Sequence, residues 1–139
     1  IHVGAGSTVE LRETKERLDD ALNATKSALK GGIIIGGGKS LYNARKALDL
    51  EVTGDYLVYK SLTAPFMTLV NNAGLDLERY TVSVDDEYDM GIDMVSGNEV
   101  NLREAGIFDP LLVTLGSFDA AMSIANLFLT TDVAVLSGE

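Results

Sequence analysis

Two adjacent carboxylates, Asp19-Asp20, three consecutive glycines, Gly36-Gly37-Gly38, and an aspartate before a proline, Asp109-Pro110, are the residues whose type and spacing could do chemistry. A carboxylate that orients water or takes its proton suits hydrolysis, above all beside a metal-bound phosphate. Neighbours on a helix point about 100° apart, so only one of Asp19 and Asp20 can face a given site. A solvated helix face would show the same pair. Glycines preceding a helix let backbone N–H groups approach an anion, and the helix dipole favours phosphate there. Gly36 to Gly38 carry neither the GxxxxGK[ST] nor the GxGxxG spacing, so a tight backbone crossing is the other reading. Asp109 reads as an N-cap with Pro110 at the first helical position, a place that is also accessible to a ligand.

The elements that must position these residues follow from the pattern. Ile1 to Val3 and Val9 to Leu11 read as short extended pieces around Gly4-Ala5-Gly6-Ser7. From about Arg12 to Lys30 there is no Gly or Pro, and Leu11, Leu18, Leu22 and Leu29 form one stripe of a long helix that Gly31-Gly32 ends. Ile33 to Ile35 is β-branched and runs into the glycines, with a helical pattern from about Ser40 to Leu48 behind them. A helical region from about Asp55 to Asn72 contains Pro65, where a break is expected. A short helix near 76–84, an irregular or hairpin segment over 85–108, an apolar helix from Pro110 to about Leu129 and a short strand over 132–137 complete the reading. The fold class expected is mainly α, multihelical, with short strands.

Composition narrows the chemistry. At 139 residues, 46% hydrophobic and 23% charged, the chain can bury a core and is too apolar for global disorder. It has no Cys, and its one His is His2, so thiolate chemistry, Cys-ligated zinc and a His-based catalytic pair are excluded. The net charge of -10 argues against nucleic acid or an anionic membrane as partner. Residues 1–50 hold eight Lys/Arg against six Asp/Glu, while residues 51–139 hold three against fifteen. No uninterrupted apolar run reaches the ~18 to 20 residues of a membrane span, and a cytoplasmic location is expected. The start at Ile1 suggests a fragment or a processed N-terminus.

The three signals occur in one order with recognisable surroundings. Val3-Gly4-Ala5, Lys15-Glu16-Arg17, Leu18-Asp19-Asp20-Ala21-Leu22-Asn23-Ala24-Thr25-Lys26, Gly32 to Gly38, Ala64-Pro65, Asn72-Ala73-Gly74, Glu104 to Pro110 and Leu129-Thr130-Thr131 together resemble the C-terminal part of a GroEL-type (group I) chaperonin subunit. The resemblance implies that residues 1–32 are the C-terminal segment of the intermediate domain and 33–139 the C-terminal half of the equatorial, ATP-hydrolysing domain. It implies that Asp20 is the hydrolytic aspartate and that Gly37 and Asp109 contact the nucleotide. The base-proximal stretch falls on Asp93, Met94 and Val95, where the family usually has smaller residues.

What the resemblance implies for the whole protein is a chaperonin that folds client proteins in a double ring, driven by ATP with Mg2+. Its partners would be other subunits, unfolded clients and a lid co-chaperonin. The family's GDGTT phosphate loop, its metal-site aspartates, the apical domain and the Gly-Met tail have no counterpart in these residues. The chain alone is therefore expected to bind no cofactor, to hold no metal and to lack ATPase and folding activity. Ile35 replaces a typical Ala, and the stretch from Gly38 to Asp109 is several positions short, which points to a divergent bacterial lineage. The alternative is an independent small helical interaction or holdase module with no nucleotide role.

Overall fold

The computed structural model of the chain describes residues 1–76 and 87–133. The first element begins earlier than its apolar pattern. Ser7 is extended, its Oγ accepts from the Glu10 N–H at 3.2 Å, and the Glu10 carboxylate accepts from the Gly6 N–H at 3.0 Å. This exchange is a capping box displaced by one residue on its return arm, and it puts Val9 to Leu11 inside helix α1, Thr8–Gly31, rather than in an extended piece. The helix is about 36 Å long at 1.5 Å per residue. It stops at Gly32, where φ is +82° and the N–H still donates to Ala28.

Two compact units divide the chain: Ile1–Gly32 with the chain from Pro110 onward, and Ile33–Asp109. In the first, α1 packs with helix α4, Leu111–Leu129. They meet tightly at Gly31, where an added Cβ would lie 2.7 Å from Leu112 Cδ1 and closer still to Cγ. No residue of either helix is buried. Only Leu18, among the four leucines of the α1 stripe, is half-buried.

The second unit begins with strand β1, Ile33–Ile35, and continues through helix α2, Lys39–Ala44, a 3-10 turn over Arg45–Ala47, and helix α3, Thr53–Asn72. A hairpin follows, with β2, Met90–Asp93, antiparallel to β3, Asn98–Asn101, in the register Met90 to Asn101 and Asp93 to Asn98. Strand β4, Phe108–Pro110, pairs with β1. The core is Tyr42, Phe66, Val70 and Ile92, with Met67, Leu75 and Met94 packed against it, and the Tyr42 and Phe66 rings are tilted with centroids 5.0 Å apart.

The break expected at Pro65 does not occur, and α3 runs through it. Leu62, Phe66 and Val70, four residues apart, are all buried, so one continuous face carries the packing across the proline. Pro65 and Ser61 are exposed, and water can take the Ser61 carbonyl that loses its intrahelical donor. The hairpin falls inside the segment expected to be irregular or hairpin. The short helix expected near 76–84 and the closing strand over 132–137 lie almost wholly outside the described residues.

Candidate functional site

The three glycines do three different jobs. Gly36 extends the β1 edge, its N–H donating to the Ile107 carbonyl at 3.0 Å, and a Cβ there would stand 3.1 Å from Phe108 C and 3.2 Å from Ile107 C. Gly37 has φ +65° with open space where a Cβ would be. Gly38, at φ +72°, caps α2 and is pressed on α3, since a Cβ would fall 2.9 Å from Phe66 N. The turn is closed by the Lys39 N–H on Gly36 O, the Tyr42 N–H on Gly38 O and the Ser40 hydroxyl on Ile35 O. The crossing reading therefore explains Gly36 and Gly38. Gly37 is different: its backbone is left-handed and an added Cβ would meet nothing within 4 Å among the described residues, as at Gly32, Gly74 and Gly106, so space is left for a close-approaching ligand.

Asp109 is not the N-cap expected. It lies in β4, the cap position is Pro110, and no side chain caps α4. The half-buried carboxylate makes no hydrogen bond or ion pair among the described residues, and burial raises its pKa above the ordinary value. An acid whose pKa is higher folded than unfolded binds its proton more tightly in the fold. Its contribution to stability is therefore lost as pH rises through that range. Holding an unpartnered carboxylate there opposes folding at neutral pH, which suits a group kept for a ligand.

Asp93, Met94 and Val95 form the tip of the β2–β3 hairpin. Both Asp93 oxygens are used inside the turn: Oδ1 accepts from the Val95 N–H at 3.0 Å and Oδ2 from the Ser96 hydroxyl at 2.7 Å. The Ser96 bond first, then the Val95 N–H, hold its pKa below the usual value. Asp93 is thus a turn-former, and the group the tip offers outward is Val95, 97% exposed, while Met94 packs on the core. Asp20 is exposed on α1, in the other unit, with no partner among the described residues. Asp19 instead lines an apolar groove with Ile1, Val3, Leu11, Lys15, Leu18 and Leu22. The structure thus brings the Gly36–Gly38 turn and the residues leading into Asp109 together.

Sequence reasoning passed over the scaffold behind the turn. Lys39, next to Gly38, is 0% exposed, with Nζ 5.4 Å from the Tyr42 ring centroid. The Arg45 guanidinium stacks on the same ring at 3.7 Å and lies 5.0 Å from Tyr59. Asn43 donates from Nδ2 to the Tyr88 carbonyl at 2.9 Å, tying α2 to the chain before the hairpin. A helical spacing of Lys39, Tyr42, Asn43 and Arg45 was the available signal, but nothing in it marks a lysine as buried. Among the described residues no group of three or more His, Cys, Asp or Glu could hold a metal ion.

Comparison with solved structures finds this fold in a chaperonin. A crystal structure of a group III chaperonin in the open state superposes with a TM-score of 0.82 at 20% sequence identity, over 96% of this chain and 30% of that one. At that identity the likeness is one of fold. The model of the TCP-1/cpn60 chaperonin family matches residues 1–139, and the chain belongs to that family. It spans about a third of the length of the solved relative.

Proposed function

We propose that the chain supplies one wall of a chaperonin ATP site, together with the carboxylate that completes the site for hydrolysis. In this reading residues 1–32 are the returning part of the intermediate domain and 33–139 the second half of the equatorial domain. The observation that carries it is the Gly37 turn, open on the side where a Cβ would be, in the same unit as a half-buried carboxylate with no partner. Gly37 lets the backbone come close to a phosphate. Asp109 accepts hydrogen bonds from ligand hydroxyls, and the exposed Val95 gives an apolar contact near the base. Bound Mg2+ would neutralise charge on the phosphates, held by carboxylates of the longer protein.

Asp20 is the residue for the attacking water. Its carboxylate is solvated and unpartnered on a stiff helix, free to orient a water and accept its proton once the site is filled. In the longer protein this work would be coupled to folding clients within rings of subunits.

The test uses the full-length protein. Asp20→Ala should lower single-turnover ATP hydrolysis ~10²- to 10⁴-fold, with nucleotide affinity changed only a few-fold. Asp19→Ala should be far milder, because that side chain points about 100° away. Equal losses at the two positions, or a dominant loss at Asp19, would remove Asp20 from the role.

A further inference from the structure

Both ends of the β2–β3 hairpin are tied by hydrogen bonds to the glycine turn or to the helix behind it. Past β3, the Ile107 N–H donates to the Leu102 carbonyl at 2.9 Å, and the Ile107 carbonyl accepts from the Gly36 N–H at 3.0 Å. Before β2, the Tyr88 carbonyl accepts from Asn43 Nδ2 at 2.9 Å. Between these ties the hairpin closes on itself. The Leu102 N–H donates to the Asp89 carbonyl at 2.9 Å, and the Arg103 guanidinium pairs with the Asp89 carboxylate at 3.0 Å.

Packing alone does not account for Asn43. The residue is 6% exposed, and its Oδ1 is buried with no hydrogen-bond partner among the described residues. A buried acceptor without a donor costs stability, and a leucine of the same branching would leave none. What the amide supplies, and leucine cannot, is the donor on Tyr88. We propose that Asn43 is a positioning residue for nucleotide: its hydrogen bond sets the tilt of the hairpin, and with it the exposed Val95 at the tip, relative to the Gly36–Gly38 turn.

This rests on the reading of turn and tip as two parts of one nucleotide site. Asn43 lies five residues past Gly38, about 7.5 Å along α2 at 1.5 Å per residue. It is thus anchored to the same short element as the turn. The tip lies seven residues beyond Tyr88, roughly 23 Å of extended chain at ~3.3 Å per residue, so a small tilt at the base is magnified at Val95. Ile92 and Met94 still hold the hairpin on the core, so losing the tie shifts the tip rather than freeing it. A shift of about 1 Å in a positioning group can cost as much as ~10²-fold. The phosphates meet the turn and not the tip, so Asn43 governs affinity for the base side of the ligand.

The test titrates the full-length protein with Mg-ATP and, separately, with inorganic triphosphate and magnesium. Asn43→Leu and Asn43→Ala both remove the donor, but only the second also removes packing. Each should weaken ATP binding ~10-fold while triphosphate binding stays within ~2-fold of wild type. Without nucleotide, amide exchange in β2 and β3 should quicken in both variants, while Phe66 and Val70 keep their protection. A loss confined to Asn43→Ala would mean a packing role, and equal losses for ATP and triphosphate would mean a general loosening. Either result, or hairpin exchange that does not change, would overturn this inference and leave the nucleotide reading standing. A wild type that binds no ATP would overturn that reading, and this inference with it.

Discussion

Residues 33–109 hold every buried side chain among the described residues, from Ile35 to Leu102, whereas neither α1 nor α4 buries one. The two regions therefore depend on different physics. The first closes a core in which Phe66 and Val70 are almost wholly enclosed and the chain crosses itself at glycines. The second rests on helix propensity over 24 and 19 residues, a side-chain cap, and the packing of α1 with α4. A region built on a core responds to lost volume. One built on helices responds at its ends.

The largest effect that separates them should come from Phe66→Ala, costing about 3–5 kcal/mol in urea unfolding. All five tyrosines lie within 33–109, so tyrosine fluorescence follows that region alone while far-ultraviolet circular dichroism follows both. The fluorescence midpoint should fall and a helical signal from α1 and α4 should outlast it. Coincident loss of both signals would mean that the two regions unfold as one.

Next in size is Gly38→Ala. It combines a left-handed backbone with a Cβ 2.9 Å from Phe66 N, and should cost about 2–3 kcal/mol. Gly37→Ala has the conformational part only and should cost about 1 kcal/mol. Equal costs in thermal unfolding would show that the backbone crossing at Gly38 relaxes freely.

The smallest effect belongs to the helical region. Ser7→Ala removes the side-chain cap of α1 and should cost about 1 kcal/mol, confined to the first turns. Amide hydrogen exchange should quicken near Glu10 and Leu11 while Phe66 and Val70 keep their protection. Faster exchange in the core as well would contradict the separation.

Periodicity made most of the helices legible, because a run such as Leu18, Leu22 and Leu29 needs no partner to be read. What it missed were places where a single contact decides. The start of α1 was hidden because the signal is Ser7 and Glu10 rather than an apolar repeat. Pro65 was read by its local cost, about 3 kcal/mol, which the buried series Leu62, Phe66, Val70 outweighs. Asp109 was read as a cap because Asp before Pro so often is one, but pairing of β4 with β1 holds it in a strand. At the candidate site, the left-handed turn at Gly37 was legible from the glycine run. The commitment of Asp93 to its own turn was not, since the Ser96 hydroxyl that takes one of its oxygens has many other uses.

The approach of α1 to α4 at Gly31 also constrains how this pair of positions can change over descent. With Leu at 112, a side chain at 31 would meet Cγ and both of its methyl groups, so Leu112, 46% exposed, would have to swing outward to admit it. A smaller residue at 112 only opens space. The easier order is therefore for residue 112 to shrink before residue 31 grows, and once 31 has grown a return to Leu at 112 meets the same obstruction. One glycine thus biases the order of steps along which this helix pair can drift.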